Sequence, residues 1–324
     1  MEFKNAFLYI PLFLLSVGIT VFVERKLIKH LSGKASQPIY SEGPSWHAKK
    51  SGTPTMGGLA FLPTSLLCLV FSFFFIIIYP QQSSTFISVI ITLIYAIANS
   101  LVGIFDDLTK LKRKENAGLT PFQKLFLQFL LAVIFLMARA FYLKDDTTID
   151  FSFGKIDFGF LYYPLAIIIL LGIVNCANLT DGIDGLASSV AFAIGIVFFL
   201  ISSNPDTTLI SLILSGVVLG FLFFNLNPAR IFMGDTGSLF LGAMGASLSF
   251  SLKNPFLILF IGGVYVIEGV SVILQVIYFK ATRKRLFKMA PFHHHLEKSG
   301  FGENKICLIA VLLTLALSLI AGIL

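Results

Sequence analysis

The chain has 324 residues, of which 56% are hydrophobic and only 13% are charged, with a formal net charge of +7. Soluble proteins average about 25% charged residues, so this composition excludes a soluble globular domain and indicates an integral membrane protein. No polar linker long enough to separate soluble domains interrupts the sequence, and residues 1–324 are predicted to form a single integral-membrane domain.

Apolar runs long enough to cross a bilayer, about 20 residues each, recur along the chain. They predict membrane helices near 4–23, 57–79, 84–105, 122–141, 160–177, 185–201, 207–224, 237–252, 255–279 and 306–324. The predicted fold class is therefore all-α, a polytopic membrane bundle of about ten transmembrane helices. Between the fourth and fifth runs, residues 149–160 alternate with period two and turn near Gly154, which indicates a small β-hairpin.

Lysine and arginine are concentrated in alternate loops. One side carries the cations of 25–34, 49–50, 110–114, Arg230 and 280–305, whereas the other side has only Lys4, Arg139, Lys144, Lys155 and Lys253. The positive-inside rule places the first side in the cytoplasm, so both termini and the hairpin are predicted to face outward, toward the periplasm. Five aspartates then share the cytoplasmic side, and these are Asp106, Asp107, Asp181, Asp184 and Asp235.

The first cytoplasmic segment of interest, residues 49–58, has the sequence KKSGTPTMGG. Glycines and exposed backbone N–H groups after two lysines would suit a phosphate or another anion. The same residue types also mark an ordinary turn and helix start, so this segment alone does not decide between the two interpretations.

The second segment contains the adjacent carboxylates Asp106 and Asp107. Such neighbours repel each other unless a cation lies between or beside them. Lys110, one helical turn later, could neutralise them or contact a substrate phosphate. The alternative is a juxtamembrane loop of solvated charges.

The third and fourth segments carry the remaining aspartates of this side. Asn178, Asp181 and Asp184 are spaced three apart and would share one face of a helical turn, and helix capping accounts for only one of them. Asp235 lies between glycines just before an apolar helix, which it could simply cap. Oxygen ligands contributed by separate loops, together with water and phosphate, are what Mg²⁺ prefers.

The fifth segment runs from 280 to 305 and contains the sequence APFHHHLE at 290–297. Three consecutive histidines cannot share one side of a helix, so a zinc site made from them alone is geometrically poor. The segment is more typical of an interfacial element whose cations meet lipid headgroups or an anionic substrate. Within the ninth apolar run, Glu268 is either a functional group or a buried helix-helix pair, and Gln275 could line the site.

Segments 52–58, 103–110, 178–186, 225–238 and 291–297 together resemble those of the phospho-N-acetylmuramoyl-pentapeptide transferase family. This family belongs to the polyprenyl-phosphate N-acetylhexosamine 1-phosphate transferases, or glycosyltransferase family 4. The Asp-Asp pair is shared across that superfamily, whereas segments 52–58 and 291–297 are closer to the muramoyl-pentapeptide branch. The resemblance implies a multi-pass enzyme of the bacterial plasma (inner) membrane, with a cytoplasmic active site, Mg²⁺, a homodimer and no nucleic acid.

The implied reaction converts UDP-N-acetylmuramoyl-pentapeptide and undecaprenyl phosphate into lipid I and UMP, a step of peptidoglycan and cell-wall synthesis. By resemblance, the metal ligands are Asp235, Asp106 and Asp107, and the catalytic residues are these three with His293. Asp106 is the candidate base for the lipid phosphate, although a nucleophilic aspartate remains open. The implied substrate-binding residues are Lys50, Thr55, Lys110, Lys124, Asn178, Asp181, Asp184, Asn225, Phe232 (stacked on uracil), Gln275, His294 and His295.

Two other functions remain open from the sequence. Transfer of N-acetylglucosamine 1-phosphate to the same lipid is the alternative within the class, and the histidine segment argues against it. A secondary transporter would also place carboxylates in a helix bundle, but near the membrane midplane rather than at one surface among lysines.

Overall fold

The computed structural model describes residues 3–33, 35, 50–113, 118–202 and 204–322, with side chains from residue 10 onward. Its helices are α1 (Phe3–Leu31), α2 (Phe61–Ile78), α3 (Ser83–Arg113), α4 (Pro121–Ala138), α5 (Tyr162–Thr180), α6 (Leu186–Ile201), α7 (Pro205–Asn225), α8 (Gly234–Ser251), α9 (Leu257–Ile261), α10 (Gly263–Thr282), α11 (Phe292–Glu297) and α12 (Glu303–Ala321). Short 3-10 turns lie at Gly57–Ala60, Pro80–Gln82 and Gly159–Leu161, and a π-helical turn at Arg139–Leu143.

Each of the ten predicted apolar runs overlaps a helix in the described part of the chain. Seven helical stretches there are long and apolar enough to cross a membrane, and α6 is a shorter apolar helix. The coarse prediction of a mostly helical, multi-pass membrane protein is therefore confirmed, whereas the count of ten spans and the orientation remain predictions. Lys34, Lys49 and Lys114, which contributed to the predicted orientation, lie outside the described residues.

The ninth predicted run is not one continuous helix. It divides at Gly262 into α9 and α10, and the backbone N–H of Gly262 donates to the carbonyl of Ile258 at 2.8 Å, which closes the shorter helix. Hydropathy alone does not reveal such a break, because the residues on both sides of it are apolar.

The predicted hairpin is present as strands β1 (Thr148–Phe151) and β2 (Gly154–Asp157). They pair antiparallel with Ile149 opposite Ile156, and the chain beyond Asp157 leaves the strand sooner than predicted. The backbone N–H of Asp150 donates to the carbonyl of Lys253 at 3.0 Å. This bond fastens the hairpin to the chain just beyond the C-terminal end of α8.

Helix α8 is the centre of the bundle. Its residues are buried without interruption from Thr236 to Ser251, and it packs against α3, α5, α6 and α7. Glycine, alanine and serine make up much of the helix, and small residues allow helix backbones to approach closely in membranes. The N-terminal end of this central helix, at Gly234, is where the polar side chains gather.

Gly103 of α3 allows one such approach, because a Cβ at this position would overlap the backbone of Asp235 at the start of α8. We expect Gly103→Ala to destabilise the protein by about 1–3 kcal/mol, the usual cost of overpacking. The matched control is Gly245→Ala, since a Cβ on Gly245 meets its nearest atoms at an ordinary 3.8 and 3.9 Å. Thermal melting of both variants in detergent tests this, and equal melting temperatures would contradict it.

Candidate active site

Three carboxylates meet where the C-terminal part of α3 reaches the start of α8. Asp106, Asp107 and Asp235 each offer an oxygen within 4.8 Å of the others, and we call these three residues the acidic cluster. Asp106 and Asp107 are buried and Asp235 is half-buried. Carboxylates at such distances repel each other unless cations lie among them, and the acidic cluster could therefore hold a metal ion.

Asp107 caps the start of α8. Its Oδ1 accepts a hydrogen bond from the backbone N–H of Asp235 at 3.1 Å, and its Oδ2 accepts from the N–H and hydroxyl of Thr236 at 2.9 and 2.7 Å. The first N–H groups of a helix have no partner within the helix, and a negative charge is favourable beside them. The sequence left open that Asp235 caps its own helix, but Asp107 of another helix supplies that cap.

Two lysines neutralise much of the remaining charge. Lys110 Nζ lies 2.7 Å from Asp106 Oδ2 and 3.2 Å from Asp235 Oδ2, whereas Lys124 Nζ lies 2.6 Å from Asp235 Oδ2. The backbone N–H of Leu119 donates to Asp106 Oδ1 at 2.8 Å. Three carboxylates facing two ammonium groups leave an excess of negative charge that a bound cation would balance.

Asn178, near the end of α5, fixes the orientation of Asp235. Its amide nitrogen donates to Asp235 Oδ1 at 3.0 Å and to the Ser238 hydroxyl at 2.8 Å, while its oxygen accepts from Lys124 Nζ at 3.2 Å. Both ends of the amide are engaged, so Asn178 joins α5, α4 and α8 around one carboxylate.

Asp181 follows α5 at the edge of the same site. Burial raises its pKa to about 8, with repulsion from Asp235, Asp107 and Asp184 acting in the same direction and Lys110 opposing it. A carboxyl with this pKa is mostly protonated at neutral pH. A cation bound beside Asp235 would lower the pKa of Asp181 and release its proton.

Asp184 belongs to a second, neighbouring group of charges. Lys50 Nζ lies 2.6 Å from Asp184 Oδ1 and 2.7 Å from Glu303 Oε2, and Glu303 Oε2 also accepts from the backbone N–H of Asp184 at 2.8 Å. The other Asp184 oxygen accepts from the side chain of Asn227 at 3.0 Å and the N–H of Ala229 at 2.9 Å. Asp184 therefore links three loops and the start of α12, and Lys50 is its cationic partner.

Asn225 lies beneath the surface rather than in an open cleft. Its side-chain oxygen accepts from the Gly185 N–H at 3.1 Å and the Ser188 hydroxyl at 2.8 Å, and its amide nitrogen donates to the Ile231 carbonyl at 3.0 Å. These three bonds hold the loop before α6 against the loop after α7. Phe232, which follows in that second loop, is half-exposed.

Two glycines of segment 52–58, Gly57 and Gly58, serve packing rather than exposing an anion site, whereas Gly52 is exposed. The N–H groups of Gly57 and Gly58 donate to the carbonyls of Phe232 and Met233 at 2.8 and 3.0 Å, and a Cβ on Gly58 would overlap Gly237. The interpretation that this segment exposes backbone N–H groups to a phosphate is therefore wrong for these two residues. Thr55 is buried, and its hydroxyl finds no hydrogen-bond partner in the described part of the chain.

The histidines have three separate partners. His293 Nδ1 lies 3.0 Å from Glu268 Oε2, so Glu268 forms the buried pair that was one of its two interpretations. His294 Nδ1 lies 2.6 Å from Glu297 Oε2, and His295 Nδ1 accepts from the Lys288 N–H at 3.2 Å. Each of the three rings therefore contacts a different residue.

Gln275 supports the chain segment that leads into α11. Its side-chain oxygen accepts a hydrogen bond from the backbone N–H of Phe287 at 2.9 Å. Phe287 in turn packs edge-on against the ring of His295, with ring centroids 5.8 Å apart. The structure thus places Gln275 against the loop of residues 283–291.

The predicted site residues fall into three sets. The acidic cluster, Lys110, Lys124 and Asn178 form one connected network with Asp181 beside it, and Lys50 and Asp184 form the second. Of the others, Thr55 and Phe232 lie in loops, Asn225 is the last residue of α7, Gln275 lies in α10, and the three histidines His293, His294 and His295 lie in α11. Sequence reasoning missed Glu303 and Thr236, although a glutamate in the first turn of a helix is itself a signal of favourable charge placement.

Comparison with known proteins places this geometry in context. Residues 89–253 match the family described as "Glycosyl transferase family 4", and residues 50–62 match "Phospho-N-acetylmuramoyl-pentapeptide-transferase signature 1". A phospho-N-acetylmuramoyl-pentapeptide-transferase of Halalkalibacterium halodurans is 43% identical over 298 residues, 90% of each chain. Enzymes of the same name from Caldicellulosiruptor bescii (41% identical, 89% of this chain and 88% of the other) and Staphylococcus epidermidis (40%, 93% of each) are also similar.

Proposed function

The chain belongs to the phospho-N-acetylmuramoyl-pentapeptide transferase family, within glycosyl transferase family 4, and from this premise we propose its reaction. It transfers phospho-N-acetylmuramoyl-pentapeptide from its UDP derivative to undecaprenyl phosphate, which gives lipid I and UMP for peptidoglycan synthesis. The observation that carries this proposal is the acidic cluster bridged by Lys110 and Lys124 at one end of a membrane helix bundle.

The acidic cluster suits Mg²⁺. All its ligands are carboxylate oxygens, the donor type that this hard cation prefers, and they carry more negative charge than the two lysines balance. Asp106, Asp107 and Asp235 would hold the ion. When bound, Mg²⁺ would neutralise charge that develops on the diphosphate during transfer.

The lysines supply the remaining positive charge. Lys110 and Lys124 now form ion pairs with Asp235 and can exchange that partner for phosphate oxygens of the substrates. Asn178 holds Asp235 in place during the exchange. We further propose that Lys50, in the neighbouring charge group, meets the nucleotide part and that the partly exposed Phe232 stacks on uracil.

Asp106 is the candidate base for the lipid phosphate. Its Oδ1 is fixed by the Leu119 N–H and its Oδ2 pairs with Lys110, so the carboxylate is oriented and next to a phosphate-binding cation. A base and a bound phosphate held in one orientation lower the entropic part of the barrier. We place the active site on the cytoplasmic side of the bacterial inner membrane, with the prenyl chain entering sideways from the bilayer, and expect a homodimer.

Release of UMP by purified protein tests this proposal. We expect UMP from UDP-N-acetylmuramoyl-pentapeptide only when undecaprenyl phosphate is present, with loss of activity in EDTA and recovery with added Mg²⁺. Turnover only with UDP-N-acetylglucosamine would overturn the substrate assignment, although the matched signature at residues 50–62 favours the muramoyl donor. No UMP from either donor would overturn the assignment as a transferase.

A further inference from the structure

Glu268 and His293 form a buried pair between α10 and α11. Glu268 is 4% exposed and His293 is 0% exposed. Both carboxylate oxygens accept from the backbone N–H of His293 at 3.1 Å, and Oε2 also lies 3.0 Å from Nδ1 of the ring. A carboxylate on one ring nitrogen fixes both the orientation of an imidazole and the nitrogen that carries its proton.

The opposite edge of this ring faces the turn between α5 and α6. A Cβ on Gly182 would overlap His293 Nε2, so the ring lies directly against the backbone beside Asp181. Nε2 is buried and has no hydrogen-bond partner in the described part of the chain. Leaving such a buried atom unpaired costs free energy. The placement of the ring is therefore imposed from its Glu268 side and not by any bond at Nε2.

The turn that contacts the ring carries a carboxyl group of each of the two site networks. Asp181 precedes Gly182 and is subject to the charges of Asp235 and Asp107. Asp184 follows and pairs with Lys50. A displacement of the turn would consequently alter both networks together.

We propose that Glu268 is a positioning residue: it holds His293 against Gly182 and so fixes the Asp181–Asp184 turn beside the acidic cluster. This inference rests on the proposed transfer reaction, because it assigns Glu268 a role in that reaction. The chain of contacts runs from Glu268 through His293 to Gly182, and each link can be broken separately.

A double-mutant cycle tests whether Glu268 acts through His293. Glu268→Gln keeps an oxygen that can accept the backbone N–H but removes the charge, and His293→Asn removes the ring. We expect each single variant to lower kcat roughly 10- to 100-fold, as loss of a group that orients a histidine does, with KM for both substrates little changed. The double variant should lose no more than His293→Asn alone, whereas losses that multiply would overturn the proposal.

Glycine substitution tests the contact with the turn. Gly182→Ala should displace the ring and lower kcat as His293→Asn does. Gly172→Ala is the matched control in α5, because nothing lies within 4 Å of a Cβ at that position. Equal kcat values for the two alanine variants would contradict the proposed contact.

NMR of ¹⁵N-histidine-labelled protein in nanodiscs tests the same contacts without any assay of turnover. The chain has five histidines, and the His293 signal is the one absent from His293→Asn. We expect an Nδ1–H bonded to a carboxylate in the unaltered protein, lost in Glu268→Gln, and an Nε2 signal that moves in Gly182→Ala but not in Gly172→Ala. If the protein releases UMP but these signals do not respond, only the inference fails. If it releases no UMP, the proposed function fails while the NMR result still decides the contact.

Discussion

Replacement of Asp235 by asparagine is expected to lower kcat by about 10³-fold or more, because preorganised charge is commonly the largest contribution at such sites. Asp235 Oδ2 lies 2.6 Å from Lys124 Nζ and 3.2 Å from Lys110 Nζ. Its Oδ1 accepts a hydrogen bond from the side-chain nitrogen of Asn178 at 3.0 Å. An asparagine retains the shape but removes the charge that opposes both lysines and removes a metal ligand. The two ammonium groups are then left to repel each other.

UMP release and Mn²⁺ binding followed by electron paramagnetic resonance measure this effect. The variant should lose turnover and bind Mn²⁺ more weakly than the unaltered protein does. Asp150→Asn is the matched control, since the side chain of Asp150 forms an exposed ion pair with Lys155 at 2.9 Å on the hairpin, and such surface pairs contribute about 0–1 kcal/mol. Full Mg²⁺-dependent turnover by Asp235→Asn would refute the metal assignment.

The adjacent aspartates should respond differently when each is changed to asparagine. Asp107 accepts three hydrogen bonds from the start of α8, so an amide group there would point N–H donors at N–H donors. We expect Asp107→Asn to lose both turnover and about 1.5–3 kcal/mol of stability, the value of hydrogen bonds to a charged group. Asp106→Asn can still accept from Leu119 and should lose turnover with a smaller change in melting temperature.

Thermal melting and kcat of the two variants in the same detergent separate these roles. Comparison with Thr236→Val isolates the hydroxyl that contributes one of the three bonds to Asp107. Identical melting temperatures for Asp106→Asn and Asp107→Asn would mean that Asp107 does not stabilise the start of α8.

The clustering of charge was predictable from sequence because the membrane leaves few places for it. Runs of apolar residues form the helices, and each of Asp106, Asp181 and Asp235 follows or precedes such a run. Because successive loops of a membrane bundle lie on opposite sides, these three aspartates were expected at the same end of the bundle. The hairpin was predictable from its period-two pattern. Both signals are local, and both depend on burial rather than on particular long-range contacts.

The division of roles within the cluster was not predictable, because it depends on contacts distant in sequence. Asp107 caps a helix that starts 127 residues later, with bonds to Asp235 and Thr236. Glu303 meets Lys50 across 253 positions of the chain. The break at Gly262 and the packing role of Gly58 likewise follow from neighbouring helices that no local pattern specifies.

The stoichiometry of products tests directly whether the acidic cluster and its lysines transfer a phospho-sugar to a lipid phosphate. Purified protein is incubated with Mg²⁺, UDP-N-acetylmuramoyl-pentapeptide and undecaprenyl phosphate, and UMP and lipid-linked product are quantified by mass spectrometry. We expect one lipid-linked phospho-N-acetylmuramoyl-pentapeptide for each UMP, and neither product with Asp235→Asn. UMP without lipid-linked product, or equal product yield from Asp235→Asn, would contradict it.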